Sequence, residues 1–261
     1  DGYVRSEGSG AALIAFTASL EDRAYWPVAE IRGTVMNQDG KSATLTAPNG
    51  PSQAQVILQT LSDARAEPAE VACSECHGTG TALGDPIEVG ALRGVYGDVS
   101  ETGTRLLLGA GKSNHGHLEG VAGFAGLLKA FACLQRAEIP PNLHFETLSP
   151  HIALQGSRLH IADASTALPA AGCLAGVSSF GFGGTNAHAI CAAATPREPR
   201  RSLESRKIAF LFTGQGSQYV GMGKRLYQTD RNFQDAFDRC ASICRPLLQE
   251  DLHDVLFSTD A

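Results

Sequence analysis

Apolar residues along this chain gather into short runs separated by clusters of glycine, proline, asparagine and aspartate. Residues 11–16 and 28–36 read as strands, and Asn37, Gln38, Asp39 and Gly40 after them favour a turn. Residues 52–65 switch to a helical pattern, with Pro51 near the first turn, where its missing N–H is no loss. The apolar run 71–76 reads as a strand ending in Gly78, Thr79, Gly80 and Thr81. A second helix starts just beyond it, with Asp85 as cap, Pro86 at the first helical position and Glu88 completing a capping box.

Residues 106–108 form another strand candidate that runs into Gly109, Ala110, Gly111, Lys112 and Ser113. The helical pattern over 118–134 is apolar almost all round, which predicts a buried helix. After Pro140 and Pro141 come strands over 159–161 and 174–178, a turn from Phe180 to Gly184, and a strand over 186–193. Residues 195–206 then hold two prolines and several arginines with few apolar residues, which marks a linker. A strand over 207–212 follows, then Gly214, Gln215, Gly216, Ser217 and Gln218, and polar, helix-like sequence to the end. Strands alternating with helices predict an α/β architecture.

Composition narrows the function. A net charge of −6 gives no electrostatic footprint for nucleic acid or an anionic membrane surface. No apolar run is long enough to span a bilayer, and the first residues have neither the basic start nor the apolar stretch of a signal peptide. A cytoplasmic location is expected, and a first residue other than Met suggests a piece of something longer. Seven cysteines, an odd number in a chain of this size, point to free thiols.

Three familiar signals fail on spacing or context. A phosphate loop ending at Gly111, Lys112 and Ser113 needs a glycine where Leu106 stands. Gly78, Gly80 and Gly84 are one residue too long for a dinucleotide fingerprint. Cys73, Cys76 and His77 match a haem-attachment spacing and half a zinc site, but no second ligand pair follows at a credible distance. No metal is expected, and cysteines three apart on a strand should diverge. What remains is two strand ends that each deliver a histidine: His77 beside Thr79 and Thr81, and His117 behind Lys112, Ser113 and Asn114.

The stretches His77 to Pro86, Lys112 to His117 and Ser179 to Asn186 resemble three ketosynthase signatures in that family's order. The resemblance to modular type I polyketide synthases covers residues 1–193, and the sequence from Phe212 to Gln218 with Gly221, Met222 and Gly223 is similar to the start of an acyltransferase domain. It implies a thiolase-like layered α/β/α fold, C-terminal half, over 1–193, a linker over 194–206, and the beginning of an α/β-hydrolase-like acyltransferase domain over 207–261. His115 departs from the pattern, since the family usually has an apolar residue there, and the linker is short.

By that resemblance His77 and His117 are catalytic hydrogen-bond donors to an enolate, with Lys112 biasing their protonation. The backbone N–H of Phe182 contributes to an oxyanion hole, and Gln215 does so for the acyltransferase part. Thr79, Thr81, Asn114, Phe180 and Gly183 line the path of the substrate and its phosphopantetheine arm. No cofactor is bound directly; 4′-phosphopantetheine arrives on an acyl carrier protein bearing acyl or malonyl thioesters. The family also implies a homodimer. None of the seven cysteines has the family's nucleophile context, so the chain is expected to be inactive and poorly stable alone. Two rivals stay open: a condensation-incompetent ketosynthase serving as a dimerisation or carrier-docking module, and a haem or zinc protein built on Cys73 and Cys76.

Overall fold

A computed structural model describes residues 2–16, 27–40, 44, 47–97, 104–169, 172–194, 219–248 and 250–257. The chain separates into two compact units, Asp1–Arg200 and Arg201–Ala261. The first is built on six strands: β1 (Ala29–Gln38), β2 (Val71–Glu75), β3 (Leu106–Gly109), β5 (Leu159–Ile161), β7 (Leu174–Phe180) and β8 (Thr185–Ala193), in the order β1-β8-β7-β2-β3-β5. β2 is parallel to both β3 and β7, while β8 runs antiparallel to β7 and to the edge strand β1. A separate pair joins β4 (Glu138–Ile139) to β6 (Thr166–Ala167).

Helices cover both faces, as a central parallel strand requires, and all five residues of β2 are buried. Helices α1 (Gly50–Ala64) and α2 (Gly84–Tyr96) pack Val56, Ile57, Leu92 and Tyr96 against Leu106, Leu108 and Ile190 on one face. On the other face α4 (Ala122–Arg136) packs Ala130, Cys133 and Leu134 against Cys73, Leu107 and Val177. Strand alternation decides the sorting: Leu106 and Leu108 enter one core and Leu107 the other. Truncating a residue such as Leu108 to alanine would cost about 2–5 kcal/mol. Arg158 is buried and donates to the carbonyls of Thr104, Pro68 and Val71, tying β5 to the start of β2.

Four sequence expectations change. Residues 11–16 are not a strand, and Leu13, Ile14 and Phe16 are exposed; among the described residues that run pairs with no strand. Helix α2 begins at Gly84, and Thr81 Oγ1, not Asp85, accepts the first free N–H at 3.1 Å. Asp85 reaches back to Gly80 N–H and Glu88 to those of His77 and Gly78, so the capping box does not form. Helix α4 follows a 3₁₀ turn at Glu119–Val121 and is buried along one stripe only, with Leu128 half exposed, because the sheet lies on one side of it. The expected linker 195–206, the strand 207–212 and Gln215 lie outside the described residues.

The second unit comprises α5 (Lys224–Thr229), α6 (Arg231–Leu248) and α7 (Leu252–Phe257). Tyr227, Phe233, Phe237 and Phe257 form an aromatic cluster around His253. The His253 ring pairs with Asp251 through Nδ1 at 3.0 Å and with Asp238 through Nε2 at 2.9 Å, which raises its pKa and links α7 to α6.

Candidate active site

The C-terminal ends of β2 and β3 and the β7–β8 turn lie side by side, and each delivers residues singled out from the sequence. His77 follows β2 by two residues. Its own N–H and that of Gly78 donate to the two carboxylate oxygens of Glu88 at 2.6 and 2.9 Å, and Cys76 N–H donates to Gly109 O at 2.8 Å. Gly78 has φ +46°, and a Cβ there would stand 2.9 Å from that of Ala110, so the strand end turns only with glycine. Burial pushes Glu88 up to about 7 even though two N–H donors favour its charged form.

His117 is reached through a one-turn helix, α3 (Lys112–His115), and through Gly116, whose φ is +74°. The segment before residue 8 passes beside it: His117 N–H donates to Val4 O at 2.7 Å and Ser6 N–H to His117 O at 2.9 Å. Arg5 and Glu119 form an exposed ion pair alongside, at 2.6 Å.

The two imidazoles meet edge to face, ring centres 5.5 Å apart. Backbone N–H groups donate to both Nδ1 atoms, from Phe180 to His77 at 3.3 Å and from Glu119 to His117 at 2.9 Å. A backbone N–H cannot accept, so in each neutral ring the proton resides on Nε2. Burial, and then the charge of Lys112, lowers the pKa of both, that of His77 to about 3. The site therefore presents two uncharged N–H donors near neutral pH. Burial also lowers Lys112, while Glu88 and Glu75 hold it up.

A cavity of about 480 Å³ opens here, its walls including His117, Lys112, Thr79, Tyr3, Asn142 and Leu148. His77 is not among the lining residues; it touches His117 on one side and the ring of Phe180, 5.6 Å away, on another. Thr79 and Thr81 hydrogen-bond to each other at 3.2 Å, and Thr81 also accepts from the first N–H of α2. Phe182 sits in the β7–β8 turn with its side chain outward, 83% exposed, so the ring that meets His77 is that of Phe180. Gly183 O accepts from Gln38, and Asn114 is exposed on α3.

Pattern reading missed Glu75, Glu88 as a backbone anchor, and Asn142. Glu75 was visible as a carboxylate at the end of a mostly apolar strand. Asn142, just after the proline pair, gave no signal of its own.

Residues 28–146 match the family described as "Beta-ketoacyl synthase, C-terminal domain", and residues 209–261 match "Acyl transferase domain". Over 192 residues the chain is 45% identical to a phenolphthiocerol/phthiocerol polyketide synthase of Mycobacterium tuberculosis, covering 73% of this chain and 10% of that protein. Over 227 residues it is 38% identical to an erythronolide synthase of Saccharopolyspora erythraea, covering 86% of this chain and 6% of that protein. The chain is a ketosynthase–acyltransferase segment of the polyketide synthase family. It spans about a tenth or less of the length of these polyketide synthases.

The thiolase-like ketosynthase fold is shared with solved domains. The oxazolomycin ketosynthase domain of Streptomyces albus superposes with a TM-score of 0.70 at 35% identity, covering 76% of this chain and 36% of that one. The module 6 ketosynthase of the Bacillus subtilis bacillaene synthase gives 0.65 at 33% identity, covering 70% and 33%. Within this ketosynthase part Cys73 and Cys76 enter opposite cores, so the two thiols cannot share a metal ion. Burial pushes the Cys191 thiol up to about 12 and raises those of Cys73 and Cys76 as well, which disfavours thiolate at all three.

Proposed function

We propose that residues 1–193 supply the electrophilic half of a decarboxylating condensation site, with His77 and His117 as its catalytic donors. The pair of neutral imidazoles, each with Nδ1 occupied by a backbone N–H and Nε2–H unpaired among the described residues, carries this reading. Loss of carbon dioxide from a carrier-bound malonyl thioester breaks a C–C bond and leaves its electron pair as an enolate. The two Nε2–H groups donate to the enolate oxygen. The enolate carbon then forms a bond to the carbonyl of an acyl thioester held on cysteine, and the thiolate leaves. A donor set fixed in advance stabilises charge with no reorganisation during reaction.

Burial holds both rings uncharged, and the positive charge of Lys112 acts in the same direction. The Phe182 N–H contributes to the second oxyanion, and Phe180, Gly183 and Asn114 border the substrate path. The phosphopantetheine arm is the carrier's, and Thr79 is the better fitted of the two threonines to meet it, since it lines the cavity while Thr81 caps α2. The acyl-holding cysteine lies outside residues 1–261, a reading supported by the thiols buried and pushed up in both cores. Residues 194–206 connect to an acyltransferase part over 207–261, where Gln215 takes the oxyanion role. Acyl carrier protein is the partner, and the ketosynthase works as a homodimer.

The test uses the intact synthase that contains this segment. His77→Ala and His117→Ala should each lower condensation turnover about a hundredfold or more while the acyl group still loads. Undiminished turnover in both variants would overturn the assignment, and a wild-type synthase that binds carrier protein yet never condenses would favour a docking module.

A further inference from the structure

Glu75 is the last residue of β2, two positions before His77, and its side chain is almost wholly buried. One carboxylate oxygen pairs with Lys129 of α4 at 2.7 Å, and the other accepts the N–H of Gly111, immediately before Lys112. Beyond that ion pair, the Lys129 ammonium has no hydrogen-bond partner among the described residues. Three glycines make the room. A Cβ on Gly109, which is Glu75's neighbour in the β2–β3 register, would lie 2.9 Å from Lys129 Nζ and 3.0 Å from Glu75 Oε2. On Gly111 it would lie 2.9 Å from Glu75 Oε1, and on Gly126 3.3 Å from Glu75 Cγ.

A buried ion pair is weak as a source of stability, because removing both charges from water costs about what their attraction returns. Its geometry is what apolar packing could not supply. The bond from Glu75 to Gly111 joins the strand end that leads to His77 with the turn that leads to Lys112 and His117. Asn142 holds the same turn from its other side, accepting Ala110 N–H at 2.6 Å and donating to Leu108 O at 2.9 Å. With both clamps in place the turn has little freedom to carry His117 away from His77.

We propose that Glu75, neutralised by Lys129, is a positioning residue that sets the separation of the two donor imidazoles through the Gly111 N–H. This rests on the catalytic reading of His77 and His117. The pair itself touches neither imidazole.

Two double variants of the intact synthase separate this tie from general support of the core. Glu75→Gln with Lys129→Met keeps an oxygen acceptor for Gly111 and leaves no unpaired charge. Glu75→Leu with Lys129→Met keeps the packing and removes the acceptor. The Leu/Met variant should lose roughly 10–100-fold in condensation kcat with KM for the malonyl carrier protein unchanged, as misplaced reacting groups do. The Gln/Met variant should recover most of the turnover, and the Gly111 amide should exchange slowly in it but fast in the Leu/Met variant.

Equal turnover in the two double variants, at whatever level, overturns the proposal. If the Leu/Met protein does not fold, Glu75→Asp replaces it: the shorter side chain withdraws from Gly111, the same loss of kcat is expected, and wild-type turnover refutes the tie. Failure of the catalytic reading itself shows separately, as wild-type turnover in His77→Ala and His117→Ala.

Discussion

His77 and His188 are both held by burial at about 3, well below the ordinary imidazole value. His188 lies in the core beneath the site, 1% exposed, with Nδ1 near Ser178 Oγ at 3.0 Å and Nε2 near Tyr96 Oη at 3.3 Å. A depressed histidine is neutral when folded and protonated when unfolded across the interval between its two pKa values. Stability is therefore lost as pH falls through about 6.5, at roughly 1.4 kcal/mol per pH unit for each such group. Glu88, raised to about 7, works in the opposite sense above its unfolded value near 4.3, and cancels one histidine between that value and pH 6.5. Of these three groups one histidine's worth of slope remains. Replacing His188 with Asn should flatten the pH dependence over this interval while lowering stability everywhere; urea midpoints measured at several pH values would show it, and an unchanged slope would contradict it.

At the scale of elements, the contact between α1 and β1 is limited by one residue. A Cβ on Gly33 would stand 2.6 Å from the backbone nitrogen of Ala64, and the ladder register between β1 and β8 shifts at the same place. Backbone cannot yield as a side-chain tip can, so Gly33→Ala should cost about 1–3 kcal/mol by forcing the helix end off the strand. Gly90→Ala, where an added Cβ meets nothing within 4 Å inside α2, should be neutral or slightly stabilising. Chemical denaturation of the two variants side by side is the measurement; equal midpoints would deny the close approach.

Elements of this kind were legible in the sequence wherever the pattern was local. The runs at 71–76, 106–108 and 174–178 became β2, β3 and β7 within about two residues, since strands buried on both faces read as largely apolar runs. The run at 11–16 has the same local pattern but no strand forms, because a ladder depends on a neighbour that local sequence does not specify. The histidine pair was legible through motif resemblance, yet the tautomer of each ring was not. It depends on the Phe180 N–H, 103 positions from His77, and on the Glu119 N–H, whose residue has a φ of +51°. Glu75 and Lys129 were invisible as a pair for the same reason: their bond joins β2 to α4 and depends on glycines whose role is to leave space.

For the molecule as a whole, the distribution of exposed apolar groups argues for one further outcome. Leu13, Ile14 and Phe16 are 86, 77 and 88% exposed along one stretch of chain. Leu128 on the outer side of α4 and Met36 on the edge strand β1 are exposed as well. Scattered single residues of this kind are ordinary on a protein surface, but three large ones within four positions, almost fully in water, are not. Each would gain about 1.5–3 kcal/mol from complete burial, so such a stretch favours any contact that removes it from solvent. The segment expressed alone should therefore bind a hydrophobic dye strongly and elute as aggregates or bound to chaperone. Replacing Leu13, Ile14 and Phe16 together with serine should lower dye binding and raise the monomer fraction without altering the far-ultraviolet spectrum, since none of the three lies in a helix or strand. A monodisperse wild-type segment with no dye response would contradict this account of its surface.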